Sequence, residues 1–552
     1  MNAVTTAANS TRRTTFSGTG SLSGTGSLVR FMLRRDRIYL PAWLLGAAAY
    51  VFYVTEAFPA VAGTEPELIA TAAMFSTPIG RMWVGPSFGM DEPTYEIFFA
   101  SGYGLYLFIL IALMSILLVS RHTRAEEQSG RLELVRANVV GRHAPLTAAL
   151  VVALIANVLA SLVAGSVLLY ADYSAEGSWL IAVASGMTGL AFAGVTAVTA
   201  QLTEYSRSAA GLAGAVLGVA FMLRALGDMA AQGGSTLSWF SPLGWASQTA
   251  PYVLDRWWPL LLLAAFAVVT VGLAYALLAR RDFGAGLMPA RRGRAYAHPI
   301  LGSPFGLALR VQRGGALGWG SVIVAFALID GMFADSLIEA AKEMPPMLLE
   351  VLGGAAGMAD GYMALIAEIS AYATMAYVVF ASVSLLVEEQ RGRAEAVLAT
   401  PVSRAAWAGS HFGVVALNAT VIMVIAGVAG GLGFGYVTDD WSAVGESVLT
   451  HLNLLPAVLV VLGVVALLHG WAPRLMSLVG WALVAYSVIA GLFGPLLDLP
   501  EEVLDLAPMR HPARLPAEDL DIVPLLVMLA IALAGVLLGL VGLRRRQVVN
   551  KG

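Results

Sequence analysis

The segment EEQSGRLELVRANVVGR at 126–142 returns, without a gap, as EEQRGRAEAVLATPVSR at 388–404. Identical pairs run through it: Glu126/Glu388, Glu127/Glu389, Gln128/Gln390, Gly130/Gly392, Arg131/Arg393, Glu133/Glu395 and Arg142/Arg404. Weaker matches flank this core. Arg34, Arg37 and Trp43 align with Arg310, Arg313 and Trp319, and Arg207 aligns with Arg474. Self-similarity on this scale marks a chain built from two copies of one unit.

Composition says what the units are made of. The 552 residues are 58% hydrophobic and only 12% charged, whereas a soluble domain carries about 25% charged residues. Much of the surface therefore faces lipid. A spanning helix needs about 20 predominantly apolar residues. Qualifying runs begin near Ile38, Phe98, Leu146, Trp179, Ser208 and Trp257, and again near Ala316, Met363, Gly409, Val448, Leu475 and Ile522. QLTEYSR at 201–207 divides one long apolar stretch, and His469 to Arg474 divides another. The pattern predicts an all-α integral membrane protein of twelve transmembrane helices, as two parallel six-helix repeats.

The positive-inside rule supports this count. With the first residues in the cytoplasm, nearly every lysine and arginine falls on one side, and only Arg81, Arg224, Arg256, Lys342, Arg510 and Arg514 fall elsewhere. Acidic clusters such as Asp91-Glu92, Asp439-Asp440 and Glu501-Glu502 collect opposite. One miscounted helix would scramble everything downstream of it. Both termini are expected on the cytoplasmic side of the bacterial plasma membrane. The expected divisions are a disordered Ser/Thr/Gly-rich tail at 1–27, a first half at 28–282, a linker at 283–303, a second half at 304–547 and a short tail at 548–552.

The repeated segment predicts more than a solvated loop. Glu127 to Arg131 and Glu389 to Arg393 are i,i+4 pairs worth only about 0.2–0.5 kcal/mol. That does not account for the matching Gln, Gly and second Glu, nor for the apolar stripe Leu132, Val135 and Val139. An amphipathic cytosolic helix once per half suggests docking to a two-lobed partner, through residues 122–142 and 384–404. The docking set is Glu126, Glu127, Gly130, Arg131, Glu133, Glu388, Glu389, Gly392, Arg393, Glu395 and Pro401.

The string EEQRGRAEAVLATPVSRAAW resembles a segment of type-2 ABC permeases, Glu-x-x-x-Gly-x-x-Glu-x-x-x-x-Thr-Pro-Val-x-Arg, matched by Thr400, Pro401, Val402 and Arg404. The first copy departs, with Asn138-Val139-Val140 in place of Thr-Pro-Val. From residue 28 onward the chain is similar to the tetronasin-type (polyketide antibiotic) exporter permeases. The resemblance implies a type V ABC exporter-like fold, each half opening with an amphipathic connecting helix at 26–36 and 304–313. It also implies that the segment contacts a P-loop ATPase subunit, in two copies, where ATP and Mg2+ would bind. The chain itself has no P-loop: Lys342 precedes Glu343 and Lys551 precedes Gly552, so no Lys-Ser/Thr follows a glycine-rich turn.

Ionisable groups within spans are functional candidates by default. Asp330, Glu368, Arg224 and Glu56 stand out, with Arg224 and Asp228 placed to pair at i,i+4. Glu368 is the deepest. Phe99, Tyr103 and Tyr106 share one helix face, and Glu368, Tyr372 and Met375 another. In the resembling fold helices 2 and 5 of each half face the pathway, which adds Phe221 and Met222. Such a lining suits a bulky apolar or amphipathic solute. Segments 57–97 and 334–362 are long connections with helical stretches at 66–75 and 336–352, and 233–256 and 496–521 resemble the re-entrant or external gate segments of that fold. With no cysteine, no metal-ligand spacing and no catalytic constellation, neither enzyme chemistry nor nucleic-acid binding is expected. The reading is an exporter permease for hydrophobic compounds. Its rivals are a twelve-helix secondary transporter and an ATPase-coupled sensor or scaffold.

Overall fold

The computed structural model describes residues 21–130, 140–282, 284–288, 296–335, 358–492 and 500–546. Most of the expected tail at 1–27, the tail at 548–552 and the stretch 336–352 lie outside these residues. All described regular structure is helical, as lipid demands, because a helix satisfies its own backbone polar groups. The chain divides into two compact units, Met1–Arg292 and Gly293–Gly552.

The first unit contains α1 (Thr25–Arg35), α2 (Tyr39–Val61), α3 (Tyr95–Gln128), α4 (Ala144–Tyr170), α5 (Ala175–Leu202), α6 (Ser206–Ala230) and α7 (Pro259–Arg280). The second contains α8 (Pro304–Met332), α9 (Met358–Gln390), α10 (Arg404–Thr438), α11 (Ala443–Trp471), α12 (Met476–Leu492) and α13 (Ile522–Arg545). Among the described residues ten helices are long and apolar enough to cross a membrane, and eleven when the bent pair α1–α2 counts as one span. The remaining apolar helix, α12, has 17 described residues, short of the roughly 20 that hydrocarbon requires. This is a multi-span membrane protein.

Local chemistry sets the helix starts. Ser303, Ser403 and Asp521 cap α8, α10 and α13 by accepting from backbone N–H groups one turn on. Proline occupies the first turn of α4, α7 and α8, where its missing N–H costs nothing.

Small residues bring the helices together, as is usual in bilayers. In the first unit α5 is the most enclosed span. Gly186 and Gly189 press on Ser161 and Asn157 of α4, and Asn157 donates to Ser115 of α3 at 2.9 Å. In the second unit the backbones of α11 and α13 touch. A Cβ on Gly463 would lie 2.7 Å from the Ala532 carbonyl oxygen, and one on Gly539 would lie 2.2 Å from that of Ala466. Gly535 and Gly539 form a GxxxG pair on the same face.

One expectation changes. The connecting helix of the second half is not separate: α8 runs unbroken from Pro304 to Met332. The first half does break, with a 62° bend between α1 and α2. The long connection 57–97 holds two helices, Glu65–Ser76 and Pro78–Val84. Segment 233–256 turns back into its own unit. Its helix Pro242–Ser247 is capped by Ser241 and buried among α3, α5, α6 and α7.

Candidate functional site

In the first unit the motif begins in the last turn of α3, on the helical stretch Arg124–Gln128. Glu127 turns inward. Its Oε1 accepts from Arg281 Nη2 at 2.6 Å, and its Oε2 accepts from Arg281 Nη1 at 2.8 Å and Arg124 Nη1 at 2.7 Å. Arg281 lies just past the end of α7. Arg124 is buried and donates to the carbonyls of Ala200 and, at 2.8 Å, Ala285. Glu126 pairs with Arg35 at the end of α1. Beside them, Asp36 at the α1–α2 bend is fully buried and holds His122 and, at 3.2 Å, Arg121. Gln128 accepts from the backbone and hydroxyl of Ser206, at the start of α6. One carboxylate motif thus ties α1, α3, α5, α6 and α7 together at one end of the unit.

The second unit repeats the plan with other partners. Glu389, with no exposed side-chain surface, accepts from Arg546 Nη2 at 2.8 and 2.9 Å, and its Oε1 lies 3.1 Å from His469 Nε2. Arg546 follows α13, and its Nε donates to the His469 carbonyl at 3.1 Å. The last helix of each half is therefore clamped to the second glutamate of its own motif. The repeated glycine has a backbone reason. Gly130 and Gly392 have φ of 71° and 69°, a left-handed turn that glycine adopts without strain.

Part of the docking set is engaged within the chain: Glu126, Glu127 and Glu389 each meet cations of their own unit. Glu389 does not pair with Arg393, because the turn at Gly392 carries Arg393 off that face. Arg393 instead meets Glu388 at 2.7 Å, with the arginine side chain 52% exposed. Glu395 and Pro401 are exposed on and after the helix Arg393–Leu398. Arg131 and Glu133 lie outside the described residues, as do Leu132, Val135 and Val139.

At the opposite ends of the units sit the proposed pathway residues. Phe99 and Tyr103 fall in a π-helical turn, Phe99–Tyr103, within α3, and such turns often mark functional sites. Phe99 is buried edge-on against Tyr173. Tyr103 packs on Phe75 and Phe98 and accepts at its carbonyl from Tyr50 at 2.8 Å. Tyr106 and Met222 are exposed, while Phe221 lies between Trp83 and the Arg224 guanidinium. Arg224 and Asp228 form the expected i,i+4 pair at 3.0 Å, fully buried. Asp228 also accepts from Ser238 at 2.6 Å, and Arg224 donates to the Met82 carbonyl at 2.5 Å. The pair thus pins the connection 57–97 and the re-entering segment to α6.

In the second unit Glu368 has Arg514 as its ion-pair partner at 4.0 Å. Tyr372 and Met375 are buried, and the Tyr372 hydroxyl has no hydrogen-bond partner among the described residues. Asp330 sits late in α8, where Tyr362 donates to its backbone carbonyl at 2.8 Å, and Glu56 is exposed. No group of His, Cys, Asp and Glu among the described residues could hold a metal ion.

The family model described as "Multidrug efflux system permease Rv1217c, C-terminal domain" matches residues 26–278 and 301–544. The chain is also 37% identical, over 534 residues and 95% of each sequence, to the multidrug efflux system permease protein Rv1217c of Mycobacterium tuberculosis (strain ATCC 25618 / H37Rv). The chain belongs to this permease family. Both matched stretches contain a motif copy, and the first also takes in Asp36. Sequence reasoning did not reach Asp36, Arg124, Arg281, His469 or Arg546. One signal was present: an arginine run closes the last helix of each half, at 280–281 and 544–546.

Proposed function

We propose that the chain is the membrane subunit of an ATP-driven exporter carrying hydrophobic or amphipathic compounds out of the cell. Twelve spans, counting α2 and α12, form two parallel six-helix halves with both termini cytoplasmic, in the manner of tetronasin-type and type V exporters. Two separately encoded P-loop ATPase subunits supply ATP and Mg2+ chemistry. The observation that carries this reading is the clamp in each half, Glu127 on Arg281 and Glu389 on Arg546. A docking segment loosely attached to the bundle would absorb a push from below. One clamped to the last helix passes the push into the spans, because a packed network with buried ion pairs moves as a body. The outward faces of the segment, Glu388, Arg393, Glu395 and Pro401, meet the ATPase. Membership in a family named for multidrug efflux supports the solute class, as do Tyr106 and Met222 exposed on α3 and α6.

The test is uptake of a hydrophobic dye into inside-out proteoliposomes containing this chain and its ATPase subunits. ATP should drive accumulation, and replacing the P-loop lysine of the partner should abolish it. Uptake that survives the inactive ATPase but stops when the proton gradient collapses would establish the secondary transporter. ATP hydrolysis without solute movement would establish the sensor or scaffold.

A further inference from the structure

At the head of α8 lies a cavity of about 810 Å³ whose lining joins His298, Arg310 and Arg313 to Ile300, Leu301 and Leu309. Among the described residues no carboxylate lines it. Arg310 and Arg313 are one turn apart, both are exposed, and neither has an ion-pair or hydrogen-bond partner among the described residues. Between them Gln312 turns the other way, buried, and donates to the His411 carbonyl at 3.1 Å. That bond fixes the rotation of the helix and so holds both guanidiniums on the open side. The cavity wall is equally fixed. A Cβ on Gly306 would lie 1.8 Å from the Ile300 carbonyl oxygen, so the turn Pro299–Gly302 rests directly on α8.

The apolar side of the cavity continues along the helix. Leu317 and Leu328 stand at i+7 and i+18 from Arg310, on the same face by helical periodicity, and are 72% and 38% exposed. Two unpaired guanidiniums above an exposed apolar strip, where a spanning helix begins, match one kind of molecule. The geometry points to a binding site for an anionic glycerophospholipid, its phosphate on Arg310 and Arg313 and an acyl chain along α8. Arginine presents a planar fork that matches phosphate oxygens, and basic groups at headgroup depth attract anionic lipid. Free phosphate would use the arginines and leave the strip uncovered. An acidic protein surface would likewise have no use for a strip running into the bilayer.

The experiment uses the full chain in phosphatidylcholine nanodiscs with trace fluorescent phosphatidylglycerol or phosphatidylcholine. Phosphatidylglycerol should be retained preferentially. The double variant Arg310→Gln/Arg313→Gln should weaken its retention about thirtyfold, roughly fivefold for each basic group. Arg310→Lys/Arg313→Lys should restore most of the binding, which separates lost charge from lost folding. Arg34→Gln/Arg37→Gln removes the same charge from the first half and should change retention less than threefold. Equal losses from the two glutamine pairs, or equal retention of both lipids, would overturn the site. Release of the label by millimolar inorganic phosphate would reassign it to a free anion. Unchanged lipid retention with lost binding of the ATPase subunit would reassign it to a protein.

Discussion

The two motif copies place the same carboxylate in the same role but draw its cations from different helices. Glu127 takes Arg124 from its own segment and Arg281 from beyond α7. Glu389 takes Arg546 from beyond α13, and its second partner is His469 on α11. The first node also reaches α1, because Glu126 meets Arg35 and Asp36 meets His122. In the aligned position of the second half Asp36 becomes Gln312, a neutral side chain bonded to His411. What duplication preserved is the link from motif to last helix. The cations and the neighbouring helix were free to change around it. The first node buries two arginines around its carboxylate; the second buries its carboxylate completely and leaves Arg546 partly open.

That contrast can be tested by breaking each node in turn. Glu127→Ala should be the more damaging, since it leaves two buried cations, Arg124 and Arg281, without their shared carboxylate, a loss of about 3–5 kcal/mol. Glu389→Ala should cost nearer 1–3 kcal/mol, because Arg546 is partly open to solvent and keeps the His469 carbonyl as an acceptor. Thermal unfolding in detergent measures both, and equal losses would erase the distinction between the nodes. Next come the turns. Gly130→Ala and Gly392→Ala should each cost about 1–2 kcal/mol from the left-handed backbone alone, since nothing lies within 4 Å of either added Cβ. Here the halves should agree, and a gap between them would show that the turns are not equivalent. The smallest effect on stability is expected from Glu388→Ala with Arg393→Ala, an exposed pair worth about 0–1 kcal/mol. That variant should fold normally yet lose partner-stimulated ATP hydrolysis severalfold, whereas intact stimulation would remove this face from the docking surface.

Local arithmetic reached some of this and not the rest. The Arg224–Asp228 pair was legible because both residues lie on one helix, four positions apart. The breaks after Leu202 and Trp471 were legible because polar runs interrupt apolar ones. The clamps were not, because Glu127 and Arg281 are 154 residues apart, and Glu389 and Arg546 are 157 apart. Spacing alone assigned Arg393 to Glu389, and the positive φ at Gly392 gives it to Glu388 instead. The unbroken α8 also escaped the pattern. Its basic start looks like that of α1–α2, and only the buried charge of Asp36 against the neutral Gln312 separates the two. The aromatic stripe of α3 was visible at helical spacing, but the π turn that re-aims Phe99 and Tyr103 has no such signature.

The bend at Asp36 has a consequence for how the protein meets bilayers of different thickness. A helix turned 62° from its span cannot share that span's tilt, so the first half should hold its depth as membrane thickness changes. The unbroken α8 has no such bend, and there a thicker or thinner membrane should be met by tilting, the ordinary response to hydrophobic mismatch.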